Sequence, residues 1–206
     1  MIQIVLYYFY AMRNYLLVLF LSVIITSTAC KQKEKAEDKK FISVLSLIKK
    51  EVAHIDTSLY SIMKVVYTDS LHVDTSYIPR DQFAEAAKDF LNIPDLSDKK
   101  IANRFTEEPP RYDEMLNRVI FTYLPINPDK EEIKKQELLL TPIPGEESKV
   151  NNLIITREIA NRDSFFQQRM LWQSAKSFQI VTRRQKPGQP EITTTTKVTW
   201  NEGFNQ

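Results

Sequence analysis

The chain has 206 residues, enough for one ordinary core with an appended segment and too few for a second catalytic domain beside it. Its 28 Lys and Arg against 26 Asp and Glu leave a formal net charge of +2, which gives no electrostatic footprint for nucleic acid. Gly145, Gly188 and Gly203 are too far apart for a phosphate-cradling or dinucleotide-binding loop, and the single cysteine, Cys30, excludes an intramolecular disulfide and a thiolate metal cluster.

From Tyr15 to Ile25 the chain is an apolar run of signal-peptide length, followed by small residues and then Cys30. Arg13 is the only charge before that cysteine, and Met12 directly precedes it, so translation is expected to start at Met12 rather than Met1. Ser27-Thr28-Ala29-Cys30 resembles the lipobox of bacterial lipoproteins. That resemblance implies a signal peptide over residues 1–29, cleavage between Ala29 and Cys30, and a lipid on the Cys30 thiol. Several acyl chains, each buried CH₂ contributing roughly 0.8 kcal/mol, hold a soluble domain at a bilayer where one chain is marginal. An uncleaved transmembrane anchor and plain secretion are the competing readings of the same run.

Of the ten residues Lys31–Lys40, eight are charged and none is a large apolar side chain, so residues 30–40 read as a lipidated cysteine and flexible tether. The mixed-charge run resembles the surface-export signals of Bacteroidota lipoproteins, and Lys31 is not the aspartate that retains enterobacterial lipoproteins in the inner membrane. Outer membrane is therefore expected over inner. Residues 41–206 form the single remaining domain.

Within it, Phe41, Leu45, Ile48, Val52, Ile55, Leu59, Ile62 and Val66 recur at alternating spacings of four and three, which predicts one long helix laid across a sheet. Pro79 with Phe83, Ala86, Ala87 and Phe90 predicts a shorter second helix to about Leu91. Residues 93–117 read as irregular around Pro94, Pro109 and Pro110, with one helical turn near Asp98–Asn103. From Arg118 the apolar period becomes two, in Val119, Phe121 and Tyr123, then Leu138–Thr141, then Leu153, Ile155 and Ile159. It continues through Phe166, Met170 and Trp172, Phe178 and Ile180, and finally Ile192, Val198 and Trp200. Turn signals between these runs predict a meander of five or six antiparallel strands, and with the two helices an α+β fold. The block Met170–Trp200 resembles the ends of uncharacterised Bacteroidota lipoproteins, a likeness that implies location and no activity.

Candidate chemistry is sparse. His54-Ile55-Asp56-Thr57-Ser58 recurs as His72-Val73-Asp74-Thr75-Ser76, a pattern that suits a divalent metal, yet one continuous helix would hold the two histidines about 27 Å apart. No metal or cofactor site is expected. Nucleophile-elbow and zinc-protease motifs are missing, and Glu107-Glu108, Glu131-Glu132 and Glu146-Glu147 are the acid pairs a glycosidase would draw on. Arg183, Arg184, Lys186 and Lys197 offer a basic hairpin for an anionic glycan or lipid head group, or simply the polar face of a sheet. The leading expectation is a lipid-anchored, non-enzymatic envelope module that binds a protein, glycan or lipid, with neither nucleic acid nor nucleotide as partner. The alternative is a carrier whose apolar pocket uses Phe121, Tyr123, Met170, Trp172 and Phe178; a carboxylate-type hydrolase ranks third.

Overall fold

A computed structural model describes residues 41–57, 61–68, 72–143, 145, 148–161 and 163–200, which belong to one compact unit, Lys39–Gln206. The apolar run, Ala29, Cys30 and the charged tether lie outside the described residues, as do Leu59, Glu146 and Glu147.

Helix α1 (Val44–Asp56) starts where the Ser43 side chain accepts a hydrogen bond from the Ser46 N–H and donates to Asp95 Oδ2 at 2.6 Å. Val44, Ile48, Val52 and Ile55 form its buried stripe. It stops at Thr57, whose hydroxyl donates to the His54 carbonyl at 3.0 Å in competition with helix continuation. The expected long helix to Val66 is therefore overturned: Met63–Tyr67 is strand β1, followed by β2 (Val73–Tyr77). The reason lies in the spacing. Ile62 and Val66 are four apart, an interval that returns to the same side of a strand as well as of a helix, and β-branched Val65 and Val66 prefer the extended form.

The second expected helix is divided. A 3₁₀ turn at Arg80–Gln82 leads into α2 (Phe83–Ala86), and α3 (Lys88–Leu91) follows after a break at Ala87. Asp98 then caps α4 (Lys99–Ala102) by accepting from the Lys100 N–H at 2.8 Å. The segment read as irregular also holds β3 (Phe105–Glu107) and β4 (Arg111–Asp113), both antiparallel to β5 (Arg118–Pro125). They amount to one edge strand interrupted by Pro109 and Pro110, which lack the N–H that a continuous ladder requires.

β6 (Ile133–Thr141), β7 (Lys149–Asn161), β8 (Ser164–Gln173), β9 (Ser177–Gln185) and β10 (Ile192–Thr199) pair in succession after β5. β1 then joins β10, so the sheet has ten antiparallel strands in the order β2-β1-β10-β9-β8-β7-β6-β5-β3, with β4 also on β5. The fold is β-rich, with four short helices among the described residues, and not an α+β arrangement of a long helix on five or six strands.

All the helical core residues meet one face of this sheet. Trp172 and Phe178 stack at 5.4 Å, Phe90 lies edge-on to Trp172 at 5.1 Å, and Phe83 lies edge-on to Trp200 at 5.0 Å. These rings are almost wholly removed from water, and such aromatic contacts add to the area term. Replacing Phe90 by alanine is expected to cost about 3–5 kcal/mol in urea unfolding, because the rigid rings around it cannot collapse into the gap. A loss below about 1 kcal/mol would show that Phe90 is not part of the core.

Candidate functional site

The residues singled out by sequence fall into separate places. His54 and Asp56 end helix α1, while His72 precedes β2 and Asp74 lies within it, so the two copies of the short repeat adopt different secondary structures. Among the described residues no group of three or more His, Cys, Asp and Glu side chains is placed to hold a metal ion. Of the paired acids, Glu131 and Glu132 are engaged with arginines. Glu131 accepts from Arg104 at 2.9 Å, and Glu132 takes two N–H bonds from Arg157, the shorter at 2.8 Å. Glu107 pairs across the sheet with Tyr123, and partial burial raises its carboxyl pKa.

The residues expected to line an apolar pocket are themselves the core. Tyr123, Met170, Trp172 and Phe178 are buried in the cluster described above, and Phe121 packs at its margin. The basic hairpin is split by strand alternation. Arg184 reaches over the Phe166 ring at 5.3 Å, whereas Arg183 belongs to the opposite, helix-free face.

Surface depressions lie elsewhere, one of them open and lined by Asp56, Ile62, Tyr77 and Arg80, and two bear on the residues above. A groove of about 740 Å³ runs beside α1, with Ile42, Leu47 and Ile55 from the helix side and Leu140 and Val150 from the β6–β7 hairpin. At its floor Glu51 Oε2 accepts from Trp172 Nε1 at 2.9 Å and from the Ala175 N–H at 3.0 Å. Ala175 has a positive φ of 57°, which turns its N–H into the β8–β9 connection where the carboxylate waits. This contact was missed by the sequence reading, although a signal existed: Glu51 follows Ile48 by three and precedes Ile55 by four, at the border of the buried stripe.

The second depression, about 520 Å³, lies on the helix-free face over the middle of the sheet. Register sets Lys135, Thr156, Arg169 and Val181 side by side across β6 to β9. The next rung carries Glu137, Ile154, Leu171 and Gln179, with Lys197 beyond them on β10. Glu137 is held by Lys135 at 2.8 Å and faces Arg111 at 3.7 Å. No helix among the described residues is long and apolar enough to cross a membrane.

Tyr123 ties the two ends of the described core. Its hydroxyl accepts from the Ile42 N–H at 3.3 Å, and its ring lies 4.6 Å from Phe41. Burial raises the phenol pKa, the Ile42 hydrogen bond opposes that shift, and nearby Glu107 adds to it. A phenol whose folded pKa is raised contributes stability in full below about pH 10, and that contribution is lost as pH rises through the folded value. Tyr123→Phe should therefore cost about 1 kcal/mol at neutral pH, where Ile42 loses its partner. In thermal unfolding followed upward from about pH 10, the gap to wild type should narrow. A gap that widens would contradict this placement of the phenol.

Comparison with protein-family models, curated proteins and solved structures found no match for this chain.

Proposed function

We propose that this chain is a lipid-anchored protein of the cell envelope, acylated at Cys30 and held at the outer membrane, whose β-rich domain is a non-enzymatic binding module. The observation that carries the proposal is the place of the only cysteine, at the border between the apolar run Tyr15–Ile25 and the charged segment Lys31–Lys40. A thiol there is poorly placed for a core or a catalytic cleft and well placed for attachment to a bilayer. The binding reading draws on the domain's interior. A carrier needs a hollow, and the space under the helices is filled by Phe83, Phe90, Trp172, Phe178 and Trp200. Glu131 and Glu132, two of the acids available to a hydrolase, serve instead as latches between the β6 entrance and neighbouring segments. Binding then falls to the surface, in the groove beside α1 or on the helix-free face.

Mass spectrometry of the protein from its native membrane tests the anchor. The mature chain should begin at Cys30 with acyl mass added, and Cys30→Ala should retain the leader. A wild-type chain that keeps residues 1–29, or begins at residue 30 with no added mass, would overturn the proposal.

A further inference from the structure

We propose that the helix-free face of the sheet holds a sugar phosphate, its dianionic phosphate gripped between the guanidinium groups of Arg169 and Arg183. The inference deepens the binding-module reading and rests on it, but it is independent of acylation.

Strand register creates the pair. Arg169 on β8 faces Val181 on β9, and Arg183 faces Gln167, so the two arginines are diagonal neighbours on adjacent strands. Diagonal positions on one face of an antiparallel pair are about 7–8 Å apart, within reach of two long side chains converging on one ligand. Lys135 enters the same depression from the far side of Thr156.

The charge there is unbalanced. Lys135, Arg169 and Arg183 meet a single carboxylate in the lining itself, Glu137, which Lys135 already holds at 2.8 Å. The next carboxylate on this face, Glu158, lies one rung away and takes the Gln167 amide at 3.3 Å. Among the described residues Arg183 pairs with Glu191 alone, at 3.9 Å, with both side chains well exposed. Arg169 has no ion-pair partner among the described residues. Neighbouring like charges repel, so the face carries an electrostatic cost that a bound anion would remove. Protection against edge-to-edge aggregation does not account for these cations, because such guards belong on edge strands and β8 and β9 lie in the middle of the sheet order.

The geometry favours phosphate over carboxylate. One guanidinium fork saturates the two oxygens of a carboxylate, whereas a phosphomonoester offers three oxygens and nearly two charges, enough for two forks. The rest of the depression suits a sugar. Thr156 offers a hydroxyl and Gln167 its amide oxygen, the amide nitrogen donating to Glu158 at 3.3 Å. Ile154 and Val181 offer apolar surface for C–H faces, and the volume of about 520 Å³ accommodates a phosphorylated monosaccharide.

Isothermal titration of the full chain in uncharged detergent and phosphate-free buffer tests the site, with glucose 1-phosphate, inorganic phosphate, glucose and phosphatidic acid micelles as probes. Glucose 1-phosphate should bind saturably and more tightly than inorganic phosphate, and glucose should not bind. Arg169→Gln and Arg183→Gln should each weaken binding about tenfold or more. Arg169→Lys, which keeps the charge and loses the fork, should fall between wild type and Arg169→Gln. Arg184→Gln, on the opposite face, should leave affinity unchanged. Thermal unfolding of each variant checks that the fold is kept. Absence of saturable binding in wild type, or undiminished binding in a folded Arg169→Gln chain, would overturn the site, and a preference for phosphatidic acid micelles would overturn the sugar in favour of a lipid head group. The acyl mass at Cys30, read on the same preparation, separates failure of this site from failure of the anchor.

Discussion

The indole N–H of Trp172 lies inside the helix–sheet interface, where a donor without a partner costs roughly 1–3 kcal/mol. Glu51 meets that need from helix α1, and the same oxygen also takes the Ala175 N–H at the turn into β9. One carboxylate thus fixes the helix relative to two strands of the sheet. At the other end of α1, Ser43 bonds Asp95 and Tyr123 receives the Ile42 N–H, so both ends of the helix are pinned by polar contacts and its middle by the Ile48 stripe. With α1 fixed, Phe83 and Phe90 have one defined surface to fill, and the ring cluster around Trp172 closes over the sheet.

That arrangement divides the molecule into two unlike faces. Under the helices the sheet is dry and aromatic. Its other face carries charged, amide and apolar side chains, water-exposed at Arg169 and Arg183 and buried at Val65, Ile120, Thr122 and Leu139. The two outer strands are blunted differently. Every residue of β2 is exposed, with Asp74 on it, and the opposite edge is broken by Pro109 and Pro110.

Sequence carried some of this and concealed the rest for identifiable reasons. Alternation from Arg118 onward marks strands β5 to β10 because each carries several residues of one-sided burial. β3 and β4 are three residues each, too short for a period to register, and the double proline between them reads as a loop. The helical period runs on past Thr57 in the sequence because Ile62 and Val66 satisfy both periods, while at Thr57 the hydroxyl turns back to the His54 carbonyl. Arg183 stands out in the sequence as part of a basic hairpin, whereas its proximity to Arg169 follows from pairing across the β8–β9 turn and not from spacing along the chain. Glu51 was hidden for a related reason: its partners, Trp172 and Ala175, lie more than a hundred residues away.

Coupling between Glu51 and Trp172 is the most direct measure of this account. In a double-mutant cycle of Glu51→Ala and Trp172→Phe, followed by urea unfolding, removing the carboxylate should matter much less once the indole N–H is gone. The expected interaction energy is about 1 kcal/mol or more. Strictly additive losses would contradict the claim that this carboxylate docks the helix onto the sheet.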